Sequence, residues 1–252
     1  MTHYGMAIDL SRCIGCHTCA IACKMANNLP KNVLFNRVRT VGGDGMDTAS
    51  GEYGANTMSF LPVQCQHCEK PACLEVCPTG ATTKDEETGI VSVDSELCIG
   101  CESCIKACPY EGVRTLIKSP EYYLDVVVGE YDAPPHKGGT VEKCTFCKNL
   151  IDRGDVPACM QLCPGRARYW GDLDDPESDV SKAIEGRETM FLNEEADHEQ
   201  HVKRGSQGVE RQRTRLDGPL ACERECHSAR EYQDERHERT SITVNASAAN
   251  AQ

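Results

Sequence analysis

The chain has 252 residues, a hydrophobic fraction of 39%, an aromatic fraction of only 5% and a formal net charge of -12. Its length allows one large or two small domains, but so little aromatic content leaves too little for a large conventional core. The acidic balance excludes general nucleic-acid affinity and argues against an anionic lipid surface, and no stretch approaches the ~20 apolar residues that span a bilayer.

In chain order, residues 4–9 lead into a first cysteine quartet, Cys13, Cys16, Cys19 and Cys23, with the spacing CxxCxxCxxxC. The insert at 24–64 is polar, then glycine-rich at Gly42-Gly43-Asp44-Gly45, then apolar. We expect a surface loop flanked by two strands, 33–41 and 56–63, that pair. A second quartet follows, Cys65, Cys68, Cys73 and Cys77, with its middle gap lengthened. Residues 78–97 hold a charged turn at 84–89 and an alternating stretch at 90–93, the pattern of a short hairpin. The third quartet, Cys98, Cys101, Cys104 and Cys108, repeats the first spacing. Residues 122–128 form a β-branched and aromatic run that predicts a strand, and the breaker-rich 132–139 predicts an exposed loop. The fourth quartet is Cys144, Cys147, Cys159 and Cys163. Beyond Pro176 a short helix is expected at 181–190. From 193 the chain is rich in Glu, Arg, His and Gln with Tyr232 its only aromatic, a composition of disordered or loosely helical segments.

Sixteen of the eighteen cysteines thus fall into quartets. A disulfide framework belongs to short secreted domains, and residues 1–10 lack the basic and apolar regions of a secretory signal. Zinc also uses paired CxxC motifs. Against it stand the three-cysteine runs and the prolines after the last cysteine in Cys77-Pro78, Cys108-Pro109 and Cys163-Pro164, which match the bacterial ferredoxin run CxxCxxCxxxCP. Four complete quartets therefore imply four 4Fe-4S clusters, whose binding free energy would substitute for missing apolar burial.

In a two-cluster ferredoxin the fourth cysteine of each run ligates the other cluster, so quartets work in reciprocal pairs. The short gap between the second and third quartets pairs these two. Cys65, Cys68 and Cys73 would share a cube with Cys108, and Cys98, Cys101 and Cys104 with Cys77. The outer quartets are left to pair across the chain, Cys13, Cys16 and Cys19 with Cys163, and Cys144, Cys147 and Cys159 with Cys23. The expected fold is α+β: two nested bacterial-type two-cluster ferredoxin units with β-rich insertions and a disordered C-terminal tail. The segments would be a first half-motif at 1–34, an insertion at 35–64, the inserted ferredoxin unit at 65–118, a strand, loop and fourth quartet at 119–176, and a polar, flexible tail at 177–252.

Other residues have plainer expected roles. Tyr110, Tyr122, Tyr123 and Trp170 are expected to shield clusters from water. His17, His67 and His136 are expected to be hydrogen-bonding or surface groups. Lys106, Lys143 and Lys148 either adjust cluster potential through charge or are simply solvated. In the tail, Cys222 and Cys226, with His198, His201 and His227 nearby, are expected to be free thiols rather than a zinc site.

Together, Tyr4-Gly5-Met6-Ala7-Ile8-Asp9, Gln66-His67-Cys68, Pro71-Ala72-Cys73, Cys98-Ile99-Gly100-Cys101 and Lys143-Cys144-Thr145-Phe146-Cys147 resemble the iron–sulfur electron-transfer subunits of the dimethyl sulfoxide reductase family, with similarity to those of polysulfide, nitrite and nitrate reductases. The resemblance covers residues 3–176. It implies an electron-transfer subunit without a catalytic site of its own, bound to a molybdenum or tungsten pterin catalytic subunit. The cluster of Cys13 and Cys163 would lie nearest that subunit, and the cluster of Cys98, Cys101, Cys104 and Cys77 would face a quinone-reactive membrane subunit or a soluble donor. In nitrate reductase relatives a tryptophan replaces the second cysteine of the third quartet and leaves a three-iron cluster; Cys101 here implies a full cube. The resemblance also implies assembly in the cytoplasm, followed by residence there or export with a partner carrying a twin-arginine signal. The family's C-terminal Gly-Thr-x-Pro-Asn segment is not found. The competing readings are a relay polyferredoxin of a hydrogenase or formate dehydrogenase complex, and a zinc-binding interaction module.

Overall fold

The computed structural model describes residues 3–42, 45–187, 189–190, 192 and 242–246. The described elements are short and follow in the order β1 (Tyr4–Asp9), α1 (Thr18–Ala26), β2 (Asn36–Val41), β3 (Ser59–Gln64), α2 (Ala72–Glu75), β4 (Thr82–Lys84), β5 (Val91–Val93), α3 (Ser103–Ala107), β6 (Arg114–Ile117), β7 (Thr140–Lys143), α4 (Lys148–Asp152), α5 (Ala158–Gln161), β8 (Arg168–Asp172), α6 (Asp179–Ile184), β9 (Thr189–Met190) and β10 (Ile242–Ala246). Helices stay short because the sequence starts and stops them within a turn or two. Left-handed residues open α1, α3 and α4 at His17, Glu102 and Cys147, and prolines precede α2 and α5 at Pro71 and Pro157. Prolines soon after α2, α3 and α5, at Pro78, Pro109 and Pro164, cannot continue a helix.

Sheet pairing ties sequence-distant segments together. β1 and β8 run antiparallel with Ile8 opposite Arg168, which brings the flanks of the first and fourth quartets side by side. β4 and β5 form the expected hairpin between the second and third quartets, and β6 pairs antiparallel with β7, joining this inner part to the outer one. The insert strands β2 and β3 pair as expected. Of the glycine-rich loop between them, Gly43 and Asp44 lie outside the described residues.

Two expectations need correction. Residues 122–128 form no strand: Tyr123, Leu124, Val126 and Val127 are exposed, and the Val128 amide donates instead to Asn28 Oδ1 at 3.2 Å. β propensity expresses fit to a pleated, half-buried surface, and among the described residues no strand pairs with the run. Secondly, the segment just past 176, expected to begin a tail, is packed. Ser178 caps α6 by accepting from the Ser181 amide, Val180 and Ala183 bury against Ala7, and the Arg187 guanidinium donates to the buried Asp9 carboxylate at 3.2 Å. The helix is also earlier and shorter than the expected 181–190. Farther on, β10 pairs antiparallel with β1 and parallel with β9, in the sheet order β8-β1-β10-β9, where a disordered or loosely helical segment was expected.

The core is several small clusters rather than one large one. Three of them lie against cysteines: Val63, Tyr110 and Val113 against Cys68 and Cys108; Met6, Ile90, Phe146 and Ile151 against Cys159 and Trp170; and Leu29, Val33, Phe35 and Ile117, with Cys23 among them, against Cys144. Tyr110 thus belongs to the cluster on which Cys68 and Cys108 pack, and Trp170 packs on the same cluster as Cys159. Tyr123 is exposed, with the ammonium groups of Lys24 and Lys31 near its ring.

Candidate metal centres

The local geometry of the cysteine loops recurs four times. The residue just before the second cysteine of every quartet has positive φ: Gly15 at 69°, His67 at 48°, Gly100 at 65° and Phe146 at 59°. For the two non-glycines this conformation costs roughly 1–2 kcal/mol each, so the turn is imposed by what it surrounds. Backbones of alternating handedness turn successive N–H groups toward one concave side, a shape that receives anions and iron–sulfur sites. Amides already point at sulfur in several loops: Phe146 N–H donates to Cys144 Sγ at 3.3 Å, Val141 N–H to Cys98 Sγ at 3.4 Å and Ala167 N–H to Cys163 Sγ at 3.4 Å.

Next comes the grouping of the thiols. Cys13, Cys16, Cys19 and Cys163 line one small cavity together with Arg168. Burial pushes the Cys23 thiol well up, reinforced by the nearby Cys144, Cys147 and Cys159. Burial likewise raises Cys108, beside Cys65 and Cys73, and Cys68 packs on the same apolar cluster as Cys108. Cys104 is raised by burial with Cys98 and Cys101 close by, and Cys77 adds its charge at Cys101. Contacts between groups are also sequential: Cys159 feels Cys19, Cys144 feels Cys65, and Cys73 feels Cys104.

Such a donor set suits a polynuclear iron centre. Burial, then the neighbouring Cys159, push the Cys147 thiol up to about 12, so four thiolates in one place repel each other until cations neutralise them. None of the sixteen cysteines is in a disulfide. Among the described residues no three His, Cys, Asp or Glu side chains converge on a single-ion position. In a cube each thiolate binds a different iron corner, so its four ligands need no common point.

The histidines have other partners in this arrangement. His67 is buried, its Nδ1 accepting from the Val91 amide at 3.0 Å, and burial, then Lys143 and Arg114, hold it neutral. His136 is half-buried, bridging Glu142 and the Asn27 carbonyl, whereas His17 faces Asp47 at 3.4 Å near the surface. Lys148 forms an exposed pair with Asp152. Lys143, by contrast, is buried, as are Arg114 and Arg168; the arginines carried no sequence signal beyond their positions after the third and fourth quartets. Cys222, Cys226, His198, His201 and His227 lie outside the described residues.

Comparison with known proteins bears on the same residues. A 4Fe-4S dicluster domain family matches residues 56–121 and 131–173, and another 4Fe-4S dicluster domain family matches 12–81. The latter joins the first two quartets, consecutive in sequence, whereas in the structure the first quartet adjoins Cys163. The chain is 45% identical over 202 residues to a Halobacterium salinarum protein assigned as the iron–sulfur subunit of a dimethyl sulfoxide reductase, covering 77% of this chain and 76% of the relative. It is 38% identical to the B subunit of the Mesobacillus selenatarsenatis selenate reductase, over 78% and 70% of the two chains. With the arsenate respiratory reductase iron–sulfur subunit of a Shewanella species it shares 34% identity, over 76% and 91%.

Proposed function

Because the chain belongs to the iron–sulfur electron-transfer subunits of the molybdopterin oxidoreductases, we propose that it carries four 4Fe-4S clusters in two nested ferredoxin units and relays electrons along them in a fixed order. The ligand sets, from one end to the other, are Cys13, Cys16, Cys19 and Cys163; Cys144, Cys147, Cys159 and Cys23; Cys65, Cys68, Cys73 and Cys108; and Cys98, Cys101, Cys104 and Cys77. Electron transfer, not substrate chemistry, is this chain's part. Each cluster supplies a site that gains or loses one electron.

The observation that carries this reading is the placement of the two exposed thiols. Of the sixteen cysteines only Cys16 and Cys101 are exposed, and they belong to the first and last sets. Beside them Ile14 and Ile99 are each 65% exposed. Two ends where a cluster nears the surface, each with an apolar residue, suit docking of two partners, while the two middle sets stay covered. We assign the Cys16 end to a molybdenum or tungsten pterin catalytic subunit and the Cys101 end to a membrane quinone-reactive subunit or a soluble donor. The relatives' names include dimethyl sulfoxide, selenate and arsenate reductases, so substrate choice is assigned to the catalytic partner. Among the described residues no helix is long and apolar enough to cross a membrane. We place assembly in the cytoplasm, with residence there or export alongside a signal-bearing partner, and membrane contact through another subunit.

Replacing Cys101 by Ser in the assembled complex tests the orientation. Electron entry from the physiological donor should fall, while a dye that reduces the catalytic subunit directly still supports turnover. Equal loss of both activities with the other clusters intact would reverse or refute the assignment of ends.

A further inference from the structure

Three basic side chains are buried among the described residues: Arg168 at 3% exposure, Lys143 at 3% and Arg114 at 4%. An unpaired buried cation costs several kcal/mol, which is why such groups are nearly always matched by a carboxylate. None of these three has an acidic partner within ion-pair distance among the described residues, and Arg114 Nη1 is buried with no hydrogen-bond partner there. Their surroundings are sulfur, backbone carbonyls and, for Arg168, the neutral amide oxygens of Asn36 at 3.3 Å and Gln64 at 3.5 Å. Arg114 Nη2 donates to Cys73 Sγ at 2.8 Å, and Arg168 Nη1 approaches Cys159 Sγ at 3.8 Å while lining the cavity of Cys13, Cys16, Cys19 and Cys163. Lys143 Nζ donates to the Cys144 carbonyl at 2.8 Å and to the Val91 carbonyl on the inner hairpin.

Each cation therefore lies within electrostatic reach of two ligand sets, and no two share the same pair. Arg168 acts on Cys13 in the first set and on Cys23 and Cys159 in the second. Lys143 acts on Cys144 in the second and Cys73 in the third, and Arg114 on Cys73 and Cys108 in the third and Cys104 in the fourth. The two arginines are related by position. Each stands on the strand after the last cysteine of a ferredoxin unit, β8 or β6, and faces the third cysteine of both paired quartets: Cys159 and Cys19 for Arg168, Cys104 and Cys73 for Arg114.

We propose that Arg168, Lys143 and Arg114 set the potentials of the relay, one cation standing in each gap between consecutive clusters and raising the reduction potential of both neighbours. This rests on the four-cluster reading above. A thiolate-ligated cube is net negative and becomes more so on gaining an electron, so a fixed positive charge held where solvent screening is weak favours the reduced form. Sharing one charge between two centres has a second effect. An electron moving from one cluster to the next leaves and arrives beside the same cation, so that charge shifts both potentials in the same direction and alters the difference between them little.

The test is a set of variants in the complex with its catalytic subunit, each checked for iron and sulfide and titrated potentiometrically with EPR detection. Arg168→Gln should shift the first and second clusters negative, Lys143→Gln the second and third, and Arg114→Gln the third and fourth, the other two staying put in each case. Arg168→Lys, Arg114→Lys and Lys143→Arg should keep wild-type potentials. An iron-replete Gln variant with unmoved potentials, or a charge-keeping variant that shifts as far as its Gln counterpart, would overturn the proposal. Where a Gln variant fails to hold iron, the charge-keeping one decides: full iron at wild-type potentials supports the role of charge, and loss of iron there too shows a role in shape alone. Fewer than four clusters titrating in the unmodified complex would instead defeat the four-cluster reading itself.

Discussion

Gly100 sits between the first two cysteines of the third quartet at φ +65°, and a Cβ built there would lie 2.3 Å from the Gly139 carbonyl oxygen and 3.2 Å from its carbon. Both are backbone atoms, so relief requires the Cys98–Cys101 loop or the turn before β7 to move. Gly100→Ala should cost about 1–2 kcal/mol for the left-handed conformation and about 1–3 kcal/mol more for the overlap. Gly80 supplies a matched control, with φ +67° and nothing within 4 Å of its Cβ position. Gly80→Ala should carry only the conformational part. The difference of about 1–3 kcal/mol corresponds to bleaching of the visible cluster absorbance in urea about 5- to 150-fold faster in the Gly100 variant, provided the overlap strains the folded state alone. Equal bleaching rates in the two variants would show that this loop is not held against the β7 turn.

Exchange of Cys163 for Ser should disturb the cluster of Cys13, Cys16 and Cys19 and leave the three local ligands Cys144, Cys147 and Cys159 holding theirs, as read by EPR; the reverse loss would mean local ligation and end the nested reading. Val180→Ala removes two buried carbons from the contact with Ala7 and should cost about 2 kcal/mol in resistance to urea, against almost nothing if α6 were part of a loose tail. His136 faces two acceptors, Glu142 Oε2 at 2.5 Å and the Asn27 carbonyl at 2.8 Å, so its ring is held doubly protonated. Burial opposes this, but those two hydrogen bonds outweigh it and raise the pKa. A raised folded pKa means the stabilisation is complete below the ordinary histidine range and disappears as pH rises through the folded value. Urea midpoints across that range should fall for the unmodified protein and stay flatter for His136→Gln; identical slopes would sink the assignment.

Much of the candidate site was legible because ligand spacing is a covalent property of the chain. The quartets, the prolines that stop the helices and the β2–β3 pair all follow from local sequence. What escaped reading depends on contacts distant in sequence. Residues 122–128 have strand composition but no paired edge, while α6 is fixed by only Val180 and Ala183, too few positions to make a pattern. His67 and Phe146 adopt a conformation that glycine signals at Gly15 and Gly100 but that nothing signals for them. Arg114 and Arg168 look like ordinary surface residues in sequence; their burial among folded thiols, and for Arg168 beside the Asn36 and Gln64 amides, comes from contacts distant in the chain.

The most direct test of the central claim is iron and acid-labile sulfide analysis of anaerobically purified protein, paired with EPR of the reduced state. Four complete quartets predict about sixteen irons and as many sulfides per chain, with four interacting 4Fe-4S signals. A plateau near twelve irons would contradict it by removing one whole ligand set, and a dominant three-iron signal in the native protein, at about fifteen irons, would remove Cys101 from its set.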